Sequence, residues 1–99
     1  MESPESDSLT RVEITLKLFA TLSDYLPHEL NGKVRVYNQL PIEVPDGATV
    51  QAVIEQMRLP PAMTHLVLVN GLYIAPAKRK SHALHHGDAL AVWPPIAGG

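Results

Sequence analysis

The residues best suited to chemistry stand at the end of the chain: Trp93, Pro94, Pro95, Ile96, Ala97, Gly98 and Gly99. Two prolines oppose continuation of helix or sheet and favour extended polyproline geometry, while two terminal glycines, with no Cβ, pass through a narrow channel. Six residues at about 3.3 Å each carry the terminal carboxyl roughly 20 Å from the body. With a reference pKa near ~3.5, that carboxyl is ionised at neutral pH and is a poor electrophile. It reacts only once activated, normally as an acyl adenylate. At an average glycine usage of about 7%, two terminal glycines arise by chance in about 0.5% of chains, so the pair is specific only in company.

Other candidates carry weaker chemistry. Lys78, Arg79 and Lys80 could dock an acidic partner surface or a phosphate, although a three-base run in a loop is more often a solvated face. His82, His85 and His86 invite a metal, but neighbours on extended backbone point in opposite directions, and no zinc-type ligand pattern accompanies them. Trp93 reads equally as a core anchor and as a hot spot at the mouth of a partner's channel. Val67, Val69, Tyr73 and Trp93 are expected to form an exposed apolar patch, because a single helix covers only one face of a sheet. No nucleophile, base and orienting group converge, which makes a self-contained enzyme the weakest option.

These residues need a compact support. The chain has 99 residues, 45% hydrophobic and 18% charged, the size of one domain. A formal charge of -2 provides no positive field for nucleic acid or an anionic membrane. There is no cysteine, which excludes disulfides, cysteine-ligated metals, persulfides and thiol nucleophiles. Met1 to Ser8 is polar and acidic, without the basic and apolar regions of a signal peptide, and no apolar run approaches the ~20 residues of a membrane span. A cytoplasmic protein is expected. Residues 1–9 read as a frayed tail that holds three of the ten acidic residues, which leaves seven acids against eight bases in the body.

From Arg11 to Phe19 apolar and polar residues alternate strictly, which predicts a half-buried strand. Ala20 to Leu30 suggests a helical turn or packed loop stopping before Pro27. Asn31 and Gly32 suggest a tight turn, and Val34 to Val44 resumes alternation as an edge strand or two short pieces, since Pro41 cannot donate to a ladder. Thr49 is a good N-cap for a helix of about ten residues with Val50, Val53, Ile54 and Met57 on one face, ended by Pro60 and Pro61. Asn70 and Gly71 mark a hairpin between His65 to Val69 and Leu72 to Ile74. Ala75 to Ser81 is a polar loop, Leu84 a buried plug, and Ala89 to Trp93 the last strand. The order predicts a two-layer α+β domain over residues 10–93, with a four- or five-stranded mixed sheet, one main helix and a flexible tail at residues 94–99.

Taken together, Phe19-Ala20-Thr21-Leu22, Val44 to Val50, Val69-Asn70-Gly71, Gly87-Asp88 and the closing Trp93 to Gly99 resemble the MoaD and ThiS family of ubiquitin-like sulfur carriers over about residues 11–99. The closing Pro-Pro-x-Ala-Gly-Gly looks more like the molybdopterin synthase small subunit than the thiamine-pathway carrier. The resemblance implies a β-grasp fold and a Gly99 carboxylate that is adenylated, then converted to a thiocarboxylate, with Gly98 giving steric access. It implies a MoaE-like large synthase subunit, a MoeB/ThiF-like adenylating enzyme that consumes ATP, and a sulfur donor system as partners, with no cofactor bound to this chain. Lacking cysteine, the chain could hold transferable sulfur only at its C-terminus. Ser23, Asp24 and Tyr25 depart from the Arg-Glu pair that many MoaD sequences carry. The segments 31–40 and 75–82 are longer than in the shortest carriers. A ThiS-like carrier, a tungsten-cofactor carrier and a ubiquitin-like interaction or modifier module remain open alternatives.

Overall fold

The computed structural model describes residues 10–95. The strands are β1 (Arg11–Leu18), β2 (Glu29–Leu30), β3 (Lys33–Val34), β4 (Gln39–Pro45), β5 (Leu66–Val69), β6 (Leu72–Tyr73) and β7 (Ala89–Trp93), with one α-helix, α1 (Val50–Gln56). Short 3-10 turns occupy Ala20–Tyr25, Pro61–Met63 and Pro76–Lys78. Five strands form one mixed sheet in the order β4-β1-β7-β5-β6, while β2 and β3 pair separately as a hairpin. β7 is central, parallel to β1 and antiparallel to β5. This is the β-grasp arrangement.

The alternation of β1 sorts its residues between two faces. Ile14, Leu16 and Leu18 join Leu40, Ile42 and Val44 of β4, Val67 and Val69 of β5, and Leu90 and Val92 of β7 in one core. Val50, Val53 and Ile54 of α1 close it from above. Leu84 is fully buried among them, and its N–H donates to Ala48 O at 2.8 Å.

β4 is an edge strand, and its prolines suit that place. Thr15, the partner of Pro41, sends its N–H to Asp88 O, on the β7 side. By the alternation of antiparallel pairing, Pro41 and Pro45 therefore face the open edge, where their missing N–H groups break no ladder bond. Asn31 and Gly32, at φ 53° and 80°, form the β2-β3 turn; Asn70 and Gly71, at 52° and 82°, form the β5-β6 turn. Both are type I′ in pattern.

The helix N-terminus is fully accounted for. Val50 N–H donates to His82 O, Gln51 N–H to Arg79 O, and Ala52 N–H to the Thr49 hydroxyl at 3.1 Å. The segment 79–84 thus caps the helix with its carbonyls, alongside the expected Thr49 side chain. The helix is seven residues long and ends before Pro60 and Pro61, because a Schellman cap stops it first. Arg58 sits at φ 58°, its N–H donates to Glu55 O, and Leu59 N–H reaches back to Ile54 O. Glycine suits that C′ position better than arginine. Relief of ~1–2 kcal/mol of left-handed strain, less ~0.4–1 kcal/mol of added chain entropy, gives about 0.5–1 kcal/mol. The Arg58→Gly variant is expected to raise the urea midpoint by that equivalent at an unchanged m-value; a lower midpoint would contradict this cap.

Candidate functional site

Strand polarity gathers one end of the sheet around the start of the tail. β1 and β7 both finish there and β4 and β5 both begin there, as the pairs Lys17-Gln39, Leu18-Val92 and Leu66-Trp93 show. Phe19, one residue past β1, donates its N–H to Val92 O at 3.1 Å, and its ring stacks on Trp93 with centroids 4.0 Å apart and planes 6° from parallel. Trp93 O accepts from His65 N–H at 3.0 Å. Backbone pairing on the β5 side, the Phe19 bond to Val92 one residue earlier and an aromatic on its face fix Trp93. Trp93 and Pro94 are half-buried, and Pro95 is exposed. Ile96, Ala97, Gly98 and Gly99 lie outside the described residues, as do residues 1–9.

The expected apolar patch has a different membership. Val67 and Val69 are buried and point into the core beneath α1. A two-residue hairpin pairs Val69 with Leu72 and Leu68 with Tyr73, so Tyr73 shares its face with Leu68. The face turned away from the helix therefore carries Leu66, Leu68, Ala91, Trp93 and Tyr73, with Tyr73 54% exposed. The Asn-Gly turn already implied this register, because it fixes which residues oppose each other. Phe19 also belongs to this end; alternation along β1 places it on the outer face, but its ring contact became visible only with the parallel pairing.

The basic run divides. Lys78 ends a 3-10 turn and is exposed, as is Lys80. Arg79 is 5% exposed, and its guanidinium donates to Ile74 O, Thr64 O and His65 O. It ties the 76–81 segment to both ends of the β5-β6 hairpin, so it is not a docking base. A groove of about 500 Å³ beside it, bounded by Arg58, Gln51 and Pro61, lies under the C-terminal half of α1.

The far end of β7 is held by a polar clamp. Asp88 accepts His85 N–H at 2.8 Å and the Asn70 amide at 2.9 Å, and the Asn70 carbonyl accepts Ala89 N–H at 2.8 Å. Burial pushes the Asp88 carboxyl up, but the His85 N–H, the Asn70 amide and the nearby His85 and His82 charges outweigh it, holding the pKa below its ordinary value. His86 accepts Glu13 N–H through Nδ1 at 3.2 Å. Among the described residues no group of three His, Asp or Glu side chains is placed to hold a metal ion. Nor is any helix among them long and apolar enough to cross a membrane.

The ThiS family model matches residues 28–99, most of the chain and all of its final strand and tail. The chain belongs to the ThiS family. Among curated proteins nothing matches it. Its fold is similar to the solution structure of the Haloferax volcanii HVO 2177 protein, at 26% identity and a TM-score of 0.68, covering 91% of this chain and 89% of that one. It is similar to the small archaeal modifier protein 1 from Methanosarcina acetivorans, at 20% identity and 0.60, over 90% and 98% of the two chains. A putative molybdopterin converting factor, subunit 1, from Pyrococcus furiosus matches at 22% and 0.56, over 86% and 99%. These likenesses place this ThiS-family chain among ubiquitin-like β-grasp proteins.

Two outcomes follow for the ends of β7. A double-mutant cycle on Phe19→Ala and Trp93→Ala, read by urea unfolding, is expected to give a coupling of about 0.5–1.5 kcal/mol, the worth of an aromatic pair beyond its buried area. Additive effects would show that the stack contributes nothing. Because the folded pKa of Asp88 lies below its unfolded value, its stabilisation is complete above the ordinary carboxylate value of ~3.9 and is lost as pH falls through the folded one. Below pH ~4 the Asp88→Asn variant is expected to lose stability less steeply than the parent, as followed by midpoint against pH.

Proposed function

We propose that this ThiS-family chain is a sulfur carrier whose C-terminal Gly99 is the reacting residue, most simply as the small subunit of a molybdopterin synthase. The observation that carries the reading is a cysteine-free chain whose sequence runs from the anchored end of β7 through Pro94, Pro95, Ile96 and Ala97 to Gly98 and Gly99. An activating enzyme supplies ATP; the Gly99 carboxylate attacks its α-phosphate, forming an acyl adenylate and releasing pyrophosphate. A sulfur nucleophile then attacks the acyl carbon, AMP leaves, and a thiocarboxylate remains. Its sulfur bonds to a carbon of an acceptor held by a partner subunit of the MoaE type, and water cleaves the acyl C–S bond, leaving sulfur on the acceptor and restoring the Gly99 carboxylate. No cofactor on this chain takes part, and the adenylating partner is of the MoeB/ThiF type. Trp93, Pro94, Pro95, Tyr73 and Lys78, with Leu66 and Leu68, offer the partner a surface around the tail. Ile96 and Ala97 extend it, and Gly98 leaves room for the activating site to close on Gly99.

A second reading is a ubiquitin-like modifier joined through the same carboxyl to a lysine amine. It is favoured by the similarity to solved structures of small archaeal modifier protein 1. Both readings share the adenylate and divide at the nucleophile.

Incubation with ATP, sulfide and a competent adenylating enzyme is expected to add the mass of one oxygen-to-sulfur exchange, about 16 Da. Deletion of Gly99 is expected to abolish the gain while leaving the unfolding midpoint unchanged. Sulfur incorporation into the truncated chain would exclude Gly99, and high-mass conjugates in place of the mass gain would favour the modifier.

A further inference from the structure

The turn that carries Tyr37 is built against the preferences of its own sequence. Val36 and Gln39 exchange both backbone hydrogen bonds, at 2.9 and 3.0 Å, so Tyr37 and Asn38 are the two central residues of a tight hairpin. Tyr37 has φ 56°, and Asn38 is not left-handed. That is the pattern of a type II′ turn, whose first central position is normally glycine. A tyrosine there is a backbone outlier. Packing does not offset the strain, because Tyr37 is 88% exposed, and Val34 and Val36 beside it are 66% and 62% exposed. The turn itself is bonded into the fold, but a tyrosine side chain that packs against none of it points to a role outside.

The turn is nevertheless rigidly supported. The Arg35 guanidinium donates to Ser23 O and Leu26 O, both at 3.0 Å, and to the carbonyl of Tyr37 itself. Leu18 N–H donates to Asn38 O at 3.0 Å, which joins the turn to the end of β1. A backbone held in this way presents the tyrosine from a fixed point, so binding orders only its two side-chain torsions, a small cost for an interface anchor. Val34 and Val36 give it exposed apolar neighbours, Lys33 is paired with Glu13 at 3.3 Å, and the Arg35 guanidinium, which donates only to carbonyls, keeps its positive charge beneath the turn.

Position supplies the occupant. β4 begins beside this turn and lies two strand spacings from β7, roughly 10 Å. A standard protein footprint of about 800 Å² has a radius of roughly 16 Å. A footprint of that size centred on the end of β7 reaches the turn, because Asn38 bonds Leu18 and Leu18 pairs with Val92. Whatever acceptor follows, an ionised carboxyl must first meet an ATP-using enzyme. We infer that Tyr37, with Val34 and Val36, is an accessory anchor for the enzyme that adenylates Gly99, seated in an apolar recess on that partner. The inference rests on the proposed reaction at Gly99.

ATP-pyrophosphate exchange, with the full chain titrated into the adenylating enzyme, tests it. Tyr37→Gly is expected to leave the unfolding midpoint equal or higher, because glycine suits the turn, while raising the KM for the carrier about tenfold at unchanged kcat. Tyr37→Phe is expected to behave as the parent. Parental exchange together with a Tyr37→Gly KM within about twofold of it overturns the anchor and leaves the reaction at Gly99 standing. If that variant instead slows only sulfur delivery from preformed thiocarboxylate, the anchor belongs to the acceptor's protein and this assignment is wrong. Absence of exchange by the parent chain, with an enzyme that activates another carrier, overturns the reading of Gly99 and the anchor with it.

Discussion

The parallel pairing of β1 with β7 is the constraint on which the rest of the molecule depends. It brings residues from opposite ends of the sequence into the middle of one sheet, Leu16 beside Leu90 and Leu18 beside Val92. Two parallel neighbours cannot be joined by a tight turn. The chain between them must therefore cross one face of the sheet, and α1, which connects β4 on one side of the β1-β7 pair to β5 on the other, makes that crossing. The same pairing sets Phe19 against Trp93 and gives the tail its point of departure. A chain whose proposed chemistry lies beyond its last strand needs that strand to be the least movable one, and the centre of a sheet is where it is held on both sides.

Much of this was legible from local pattern. The alternation of Arg11 to Leu18, the Asn70-Gly71 turn and the Thr49 cap each rest on interactions within a few residues, and each forms as its sequence suggests. What was not legible depends on partners distant in sequence. The short apolar run at Val67 and Val69 has no polar residues to mark its phase; pairing with Val92 and Leu90 of β7 and burial in the core beneath α1 turn both inward. Arg79 looked like one of three solvated bases, and nothing in its neighbours says that the carbonyls of Thr64 and His65 lie within reach. Arg58 ends the helix in a conformation that its residue type disfavours, so the prolines that follow looked like the stop. The terminal residues that carry the proposed reaction are legible only in company with the motifs upstream of them, and Ile96 to Gly99 lie outside the described residues.

The division of labour between the two faces follows from having one helix. The face beneath α1 is filled by branched aliphatic side chains and serves stability alone. The other keeps Leu66, Leu68, Trp93 and Tyr73 beside Lys17 and Glu13, a mixed surface that a partner can cover without a large loss of polar hydration. The β2-β3 hairpin and the turn at Tyr37 add a second raised feature at the same end, pinned by Arg35. Both features stand where the chain departs.

The prolines of β4 have a consequence for how this molecule can be read by others. Many small β domains are recognised through their backbone, when a foreign strand lies alongside an open edge and extends the sheet. Here Pro41 and Pro45 remove two donors from one edge, and β6, the other edge, is only two residues long. Neither rim offers a ladder to copy. A partner must identify this chain by its side chains and by the shape of one end, so selectivity is written in residues that can be exchanged without rebuilding the fold, and a family of such carriers can diverge in partner choice while keeping one sheet.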